Sequence, residues 1–455
     1  MTYDTVVKGG TLVLADGPVH ADLGVREGRI VAHGTDLRGG HEIDAKGLLV
    51  LPGLIDPHVH PIHAETYASV SRAALQGGVT TVAHHLYTPP DGDPVATFEA
   101  ARSEANASTH ADYVFHVRLN DLARTAGAID ELVALGSTSF KLFLAYGSRG
   151  VQLRDDELVL ALQAAERSGG LLLYHAENGH VADLLEAQAR ERGERDLADY
   201  YRARPRWVET EAVERITRLL RIAPARSYFV HLTCVESLAA VRTARDAGLP
   251  VTGETCPHYL LLTAEEAVPL GSRAKMSPPL RADADRDALW RALDEGLLSL
   301  VGSDHSAFDR SEKEPSDDVF EAGYGVPGIA TMLPLLYDRG VRTGRTSLTR
   351  LVDILSGAAA RTLGLADRKG SLSVGRDADF VLFDPDETFE IDAASEGGTA
   401  YYSLYEGWRG KGVVKATYLR GEAAYVDGTV VARPGAGRWL RREPTTEPAH
   451  RAPPR

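Results

Sequence analysis

The feature that most constrains the fold of this chain is a series of short apolar segments, each leading into a polar residue of a type that can bind metal ions. In the first segment, residues 49–55 form an apolar run that contains proline and glycine, which is typical of a buried strand. The run continues into Asp56-Pro57-His58-Val59-His60. Because residues two apart on a strand share a face, the imidazoles of His58 and His60 point the same way, as a metal-binding pair does.

Four later strand-like segments carry one such residue each: Lys141, His175, His231 and Asp304. Any one of these residues alone is more often structural, but five such segments are not expected by chance. A His, Asp or Lys repeated at the C-terminal ends of strands is how a (β/α)8 barrel builds an active site. Helical patterns at residues 156–165 and 236–242 alternate with the strands, as parallel βα units require. The sequence therefore predicts an α/β protein with a (β/α)8, TIM-like barrel.

The two ends of the chain differ from its middle. Residues 1–52 and 370–435 contain short strand-like runs broken by turns, including Asp-Gly pairs that favour hairpins. We expect the two ends to form one small discontinuous β-sandwich domain, with the barrel between them at residues 53–369. Residues 436–455 are expected to be a C-terminal tail. From residue 441 the tail is rich in Pro, Arg, Glu and Thr, as in a mobile segment able to dock on a neighbouring subunit.

Composition excludes several classes of function. The 455 residues carry a net charge of −14, from 50 basic and 64 acidic residues, and no basic patch suggests binding to nucleic acid. The only cysteines, Cys234 and Cys256, lack the spacing of a zinc site or a disulfide framework and are expected to be structural. The N-terminus lacks the pattern of a signal peptide, and no apolar stretch is long enough to span a membrane. A soluble, cytoplasmic protein is expected.

The candidate ligands suggest a particular metal chemistry. Four histidines and Asp304 supply nitrogen and oxygen ligands suited to Zn²⁺ or a similar divalent ion. Lys141 is a poor neighbour for a dication unless its amine reacts with CO₂, which gives an anionic carbamate able to bridge two metal ions. Two bridged ions would clamp a hydroxide, and Asp304 could take its proton and pass it to a leaving nitrogen. The alternative is a buried Lys141 paired with a carboxylate, which is costly inside an apolar strand.

The ordered set of motifs resembles the amidohydrolase superfamily, and most of all its dihydropyrimidinase/D-hydantoinase group, to which dihydroorotase and allantoinase are related. The resemblance covers nearly the whole chain and rests on residues 53–60, 139–146, 175–179, 254–260, 275–281, 302–305, 325–329, 375–379 and 405–408. It implies His58 and His60 on one metal ion, His175 and His231 on the other, a carbamylated Lys141 between them, and Asp304 as both ligand and base. It also implies hydrolytic opening of a small cyclic amide by a metal-bridging hydroxide, giving an N-carbamoyl amino acid.

The resemblance also implies a set of substrate contacts. Tyr146 would donate its hydroxyl to the carbonyl oxygen as negative charge builds there. Ser277 and Tyr324 would bind the cyclic amide through backbone groups, although hydantoinases usually have Asn where Tyr324 stands, and a loop aromatic without a ligand is the alternative. Phe143 and Ile62 are the other expected contacts. Dihydroorotase-like enzymes carry an Arg at the position of Ile62, so a neutral or weakly charged ring is expected rather than dihydroorotate.

Several alternatives stay open at this point. The substrate could instead be that of an allantoinase-like or dihydroorotase-like enzyme, and dihydropyrimidinase-related scaffold proteins share this fold without catalysis. Deaminases of the superfamily generally use one metal ion without the bridging lysine, so Lys141 argues against that class. A homodimer or homotetramer is expected. Four further histidines could line an altered pocket or be structural: His63, His84, His85 and His116.

Overall fold

The computed structural model describes residues 2–445, which form a parallel barrel and a second sheet. The barrel strands, in chain order after the five strands of the N-terminal end, are β6 (Leu54–Val59), β7 (Val79–Leu86), β8 (Asp112–Arg118), β9 (Ser139–Phe143), β10 (Leu171–His175), β11 (Arg226–Phe229), β12 (Val251–Thr255) and β13 (Leu300–Val301). Each strand pairs in parallel with the next. A short parallel bridge between Val59 and His305 links the last segment to the first, so the barrel is nearly closed. The predicted (β/α)8 barrel is confirmed.

Helices connect the barrel strands, as the alternating sequence pattern predicts. They are α1 (Tyr67–Gln76), α2 (Pro94–Ser108), α3 (Leu122–Ala134), α4 (Asp155–Ser168), α5 (Gly179–Glu191), α6 (Leu197–Ala203), α7 (Arg206–Leu219), α8 (Val235–Asp246), α9 (Pro257–Leu261), α10 (Ala264–Ala267), α11 (Asp283–Asp294), α12 (Arg310–Lys313), α13 (Met332–Leu336), α14 (Leu348–Val352) and α15 (Ala358–Leu363). No helix within residues 2–445 has the length and apolar character needed to cross a bilayer.

Both chain ends contribute to the second, nine-stranded sheet. Its strands are β1 (Tyr3–Leu14), β2 (Gly17–Arg26), β3 (Arg29–Gly34), β4 (Gly39–Asp44) and β5 (Leu49–Pro52) from the N-terminal end, and β14 (Phe380–Glu390), β15 (Arg409–Leu419), β16 (Glu422–Val426) and β17 (Thr429–Val430) from the C-terminal end. The order is β17-β16-β15-β14-β5-β1-β2-β3, with β4 on β1. β5 pairs antiparallel with β14. The two chain ends are therefore joined in one sheet by direct hydrogen bonds between strands more than 300 residues apart.

The apolar run at residues 49–55 is divided between the two sheets, whereas the sequence pattern predicts a single strand. β5 belongs to the second sheet and β6 to the barrel, and Gly53 separates them. A side chain at Gly53 would clash with Thr80 of β7 in the barrel and with Asp379, the residue before β14 of the second sheet. Glycine therefore lets the chain pass through a close contact between the two parts of the molecule.

A buried group of ions also joins the barrel to the second sheet. Lys369 Nζ lies 2.6 Å from Asp112 Oδ2 and 2.6 Å from Asp379 Oδ2, while Arg420 Nη1 lies 2.5 Å from Asp112 Oδ1. We call Asp112, Lys369, Asp379 and Arg420 the lower ion cluster, because Asp112 begins β8 at the N-terminal end of the barrel strands. Backbone N–H groups of Arg438 and Arg420 complete it by donating to the two aspartates.

The first part of the expected C-terminal tail is packed against the barrel. Leu440 N–H donates to Tyr113 O at 2.9 Å, and Trp439 stacks on Phe115. Arg442 is buried and donates to Ser139 Oγ at 2.8 Å. Residues 436–445 thus cover the N-terminal end of the barrel, because their apolar and guanidinium groups find partners there that periodicity along the sequence does not reveal. The remainder of the expected tail, residues 446–455, lies outside the described residues.

Candidate metal and active site

A cavity of about 190 Å³ opens at the C-terminal end of the barrel strands, and every site residue predicted from the sequence lines it. These residues are His58, His60, Ile62, Lys141, Phe143, Tyr146, His175, His231, Ser277, Asp304 and Tyr324. Below the cavity the barrel interior is apolar, filled by side chains such as Ile55, Ala83, Val114, Leu173 and Leu300. The strand-end positions therefore bring these polar side chains together above a packed apolar layer, as the barrel architecture requires.

Local backbone geometry marks the same cavity. Nine described residues other than glycine have a positive φ, and four of them line it: His63, Tyr146, His231 and Asp304, with φ between 41° and 67°. Left-handed backbone is costly for residues with a side chain and persists where the surrounding structure imposes it, which is common at active sites. For His231 and Asp304, the turn comes just after β11 and β13 and aims each side chain into the barrel mouth.

The candidate ligands lie within reach of one another. His60 Nε2 is 2.9 Å from Asp304 Oδ1, and His58 Nε2 is 3.1 Å from the same oxygen. His175 Nδ1 is 3.0 Å from His231 Nε2. His58 Nε2 is buried and has no well-aligned hydrogen bond among the described residues. One ligand atom each from His58, His231 and Asp304 falls within 4.8 Å of the others, so the side chains present fit a divalent cation.

The protonation states also suit a metal ion. Burial lowers the pKa of His60 to about 4 and lowers the pKa values of His175 and His231, so the three imidazoles are neutral at pH 7. Burial opposes ionisation of Asp304, but His58 and His60 hold the pKa of its carboxyl well below its usual value. Metal binding requires neutral imidazole and ionised carboxylate, and this site provides both.

Lys141 is buried in the middle of β9 without a counter-ion. Within residues 2–445 no carboxylate forms an ion pair with its Nζ, which lies 5.1 Å from the centre of the Phe143 ring. The alternative of a structural Lys–carboxylate pair therefore has no support in the geometry. Burial lowers the pKa of Lys141 to about 8, which raises the fraction of neutral amine at pH 7. The neutral amine is the form that reacts with CO₂.

Three of the candidate ligands, His58, His60 and His175, have their second ring nitrogens held by residues that were not among the predicted site residues. Glu254 Oε1 lies 2.8 Å from His58 Nδ1, and Glu177 Oε2 lies 2.8 Å from His175 Nε2. The Tyr87 hydroxyl contacts His60 Nδ1. Such partners fix the orientation of a metal-binding imidazole. Glu254 and Glu177 lie at or just beyond strand ends, so the strand-end pattern contained a signal for them.

The side chains of the expected substrate contacts differ in whether they already form hydrogen bonds within the protein. Tyr146 packs 4.9 Å from His175 and 5.8 Å from Tyr324 between ring centres, and burial raises its pKa, so its hydroxyl keeps its proton. Ser277 Oγ donates to Glu177 at 2.6 Å and accepts from Arg204 at 2.8 Å. The Ser277 side chain is thus engaged within the protein, which leaves its backbone for a substrate.

The four further histidines lie in different places: His84 and His85 on opposite faces of β7, His116 on β8 and His63 in the loop after β6. His63 lines the cavity, whereas His84, His85 and His116 do not. His85 packs against His58 and His60, with ring centres 4.4 Å and 4.6 Å away. His84, on the opposite face of the strand, packs against aromatic rings outside the barrel. Cys234 and Cys256 are both buried free thiols.

Two arginines that the sequence did not indicate also line the cavity, Arg118 and Arg149. Arg118 is the last residue of β8, so the strand-end rule applied to β8 would have found it. Arg149 ends the 3-10 turn Gly147–Arg149 after Tyr146, a position for which the strand pattern has no signal.

The barrel and the donor side chains at its strand ends form a candidate metal centre. Comparisons with known proteins indicate the class of protein to which the chain belongs. The amidohydrolase family profile matches residues 49–424. A D-hydantoinase from Ralstonia pickettii is 36% identical over 456 residues, covering 96% of this chain and 99% of that protein. An allantoinase from Rubrobacter xylanophilus is 37% identical over 449 residues, covering 96% and 98%.

Solved structures give the same answer. The dihydropyrimidinase from Brevibacillus agri superposes with a TM-score of 0.93 at 32% identity, covering 98% of this chain and 100% of that one. A D-hydantoinase structure superposes with a TM-score of 0.93 at 35% identity, covering 97% and 99%. The chain belongs to the amidohydrolase family, and the resemblance seen in the sequence is confirmed. It is therefore an enzyme that hydrolyses carbon–nitrogen bonds other than peptide bonds.

Proposed function

We propose that this enzyme opens the ring of a cyclic amide or ureide of the hydantoin or dihydropyrimidine type, giving an N-carbamoyl amino acid. The observation that carries the proposal is the convergence of six ligand-type side chains and Tyr146 on one cavity. The relatives named above support the ring class, because they include a D-hydantoinase and a dihydropyrimidinase. As a catalyst the chain would act as a homodimer or homotetramer.

The residues that would hold two divalent ions, Zn²⁺ being the first choice, are His58 and His60 for one, His175 and His231 for the other, with Asp304 and a carbamylated Lys141 completing the set. When bound, the ions supply Lewis acidity that activates a water molecule and polarises the substrate carbonyl. Glu254 and Glu177 keep the imidazoles of His58 and His175 in place through their second ring nitrogens.

The protein's own groups supply the remaining steps. Asp304, ionised at neutral pH, takes the proton of the attacking water and returns it to the ring nitrogen as the C–N bond breaks. The Tyr146 hydroxyl donates to the carbonyl oxygen where negative charge develops. The ring itself would lie against Phe143, Tyr324 and Ile62, with the backbone of Ser277 binding its amide edge.

A second candidate is an allantoinase-like reaction, which the 37% identity to the Rubrobacter allantoinase favours. Hydantoin and allantoin are both five-membered ureide rings that the same groups could open, so these two substrates differ in the ring substituent. A non-catalytic scaffold is disfavoured because all six ligand positions hold side chains able to bind metal.

The test is a ring-opening assay on the protein loaded with Zn²⁺ or Mn²⁺. Hydantoin, dihydrouracil and allantoin are supplied separately, and the open-chain acid is measured. We expect opening of at least one ring and a loss of about a thousandfold or more in kcat for Asp304→Asn, whose amide cannot accept the proton. A loaded enzyme that opens none of the rings, or an Asp304→Asn enzyme within tenfold of the parent, would contradict the proposal.

A further inference from the structure

The cavity carries two guanidinium groups whose charge nothing in the described structure balances. Arg118, at the end of β8, donates to the carbonyl of Thr88, and its Cζ lies 4.9 Å from the centre of the Tyr87 ring. Its Nε is buried and has no hydrogen-bond partner. Within residues 2–445, no carboxylate lies in ion-pair distance of Arg118.

In the described part of the chain, Arg149 also lacks an ionic partner, although it is exposed at the mouth of the cavity whereas Arg118 is partly buried. Its Cζ lies 5.4 Å from the ring of Tyr146 and 5.3 Å from the ring of Tyr324, and no acidic group among the described residues pairs with it. Neighbouring arginines outside the cavity are paired: Arg154, for example, lies 3.0 Å from Asp156. The absence of a partner is thus a property of the cavity and not of this part of the surface.

The two charges act on each other and on whatever enters the cavity. Burial and, to a smaller degree, the positive charge of Arg149 lower the pKa of Arg118, yet a guanidinium stays protonated at neutral pH. Among the residues that the structure describes, Asp304 is the one carboxylate that lines the cavity, and it faces His58 and His60. Charges of one sign in a cleft with low-dielectric walls attract and orient a ligand of the opposite sign.

We infer that the substrate carries a carboxylate, either on the ring or on a short substituent, which binds between Arg118 and Arg149 while the ring amide faces the metal ligands. The inference rests on the proposed function and narrows its substrate class. A guanidinium binds a carboxylate through two parallel hydrogen bonds, which fixes orientation as well as adding affinity. Arg118 at the end of β8 and Arg149 in the turn after Tyr146 would supply the positive charge that Ile62 lacks. This inference replaces the expectation of a neutral ring.

The experiment compares matched acid and amide substrates on the metal-loaded enzyme. The pairs are hydantoin-5-acetic acid with its primary amide, and dihydroorotate with its primary amide. These differ in charge and hardly in shape, so the ratio of kcat/KM for acid to amide reports the charge contact alone. We expect a ratio above ten for at least one pair, carried mostly by KM, and a ratio that falls as ionic strength rises.

Variants then assign the charge contact to residues. Arg118→Gln and Arg149→Gln should each lower the acid-to-amide ratio about tenfold, and Arg118→Lys should restore part of it. Arg154→Gln, which removes a nearby paired arginine, should leave the ratio unchanged. Equal rates for acid and amide in the parent enzyme, or ratios that do not respond to the two cavity arginines, would overturn the inference while leaving ring opening intact.

Failure of the proposed function gives a different result. If none of the four compounds is opened, calorimetric titration of each acid and each amide into the protein still tests the inference. Tighter binding of the acid that is lost in Arg118→Gln would support it without any turnover. Equal binding of acid and amide, or no binding of either, would overturn it.

Discussion

Two groups of buried titratable side chains occupy opposite ends of the same barrel, and they are built in different ways. In the lower ion cluster, Lys369 and Arg420 both pair with Asp112. Backbone N–H groups donate further hydrogen bonds to the carboxylates of Asp112 and Asp379. At the upper end, Lys141 has no counter-ion and His58 Nε2 has no well-aligned hydrogen bond among the described residues. The lower group is paired within the protein, whereas the upper group leaves buried polar atoms without partners in the described part of the chain, as a ligand-binding site does.

The difference indicates what each group is selected for. A buried charge that is fully paired joins two parts of a fold, and here it ties the barrel to the second sheet. A buried polar atom without a partner costs free energy, so it persists where a ligand or a reaction uses it. Substitutions in the two groups should therefore have different effects. Those in the lower group should lower the stability of the fold, and those in the upper group should lower metal binding and the catalytic rate.

The largest effect is expected at Lys141. Lys141→Ala and Lys141→Met should each lower kcat by about a thousandfold or more, roughly 4 kcal/mol, because the proposed bridging carbamate could no longer form. Bound metal, measured by atomic emission, should fall with it. Acetate or propionate should restore part of the activity of Lys141→Ala, which leaves room for a carboxylate, and none of that of Lys141→Met.

The stability of the Lys141 variants sharpens the comparison. Lys141→Met replaces a buried, unpaired amine with an apolar side chain of similar length, so the metal-free variant should be as stable as the parent or more stable. A fully active, metal-replete Lys141→Ala enzyme without added acid would show that Lys141 bridges nothing. A Lys141→Met protein that unfolds readily would show that Lys141 serves the fold.

The next largest effect is expected in the lower ion cluster. Asp112→Asn keeps the shape of the side chain but removes the charge shared by Lys369 and Arg420, and should lower the free energy of unfolding by about 3 kcal/mol. Urea unfolding followed by circular dichroism measures it. Asp130→Asn, which breaks the exposed pair with Arg167, is the control and should change stability by less than about 0.5 kcal/mol.

The metal content of the Asp112→Asn variant tests whether the two ends of the barrel are independent. The folded fraction of Asp112→Asn should bind as much metal as the parent, because Asp112 lies at the opposite end of the strands from the ligands. A loss of metal from folded Asp112→Asn would show that the two groups are coupled, and the contrast drawn between them would fail.

The smallest expected effect distinguishes two adjacent histidines that are both buried and both without partners at either ring nitrogen among the described residues. One ligand atom each from His58, His60 and His85 lies within 4.8 Å of the others, whereas His84 faces away. His85→Gln should weaken metal binding about tenfold, or 1.4 kcal/mol, by loosening the His58 and His60 rings. His84→Gln should change the metal Kd by less than about twofold, measured by competition with a chelator, and equal effects of the two would contradict the prediction.

Much of the site could be predicted because strand geometry is local. Alternation along β6 and the residue after it is enough to place His58 and His60 on one face, and four later strands each provide one further donor in or just after the strand. Glu254 shows where this stops. The strand-end pattern can place Glu254 near the site, but its role depends on contact with His58, 196 residues away in the chain, and no spacing along the sequence predicts that contact. The same holds for Arg442, whose burial under the barrel contradicts the polar composition of its own segment.

The sequence by itself determined the class of fold and the identity of the candidate metal ligands, because apolar periodicity and strand-end chemistry are properties of short stretches. Only the tertiary structure decided which charges are balanced. Lys369 pairs with three aspartates, Asp112, Asp377 and Asp379, from different parts of the chain. Arg118 and Arg149 line one cavity, and among the described residues neither forms an ion pair with an acid. The physical reason is that electrostatic energy depends on distances in space, and folding sets those distances between residues that the sequence keeps far apart.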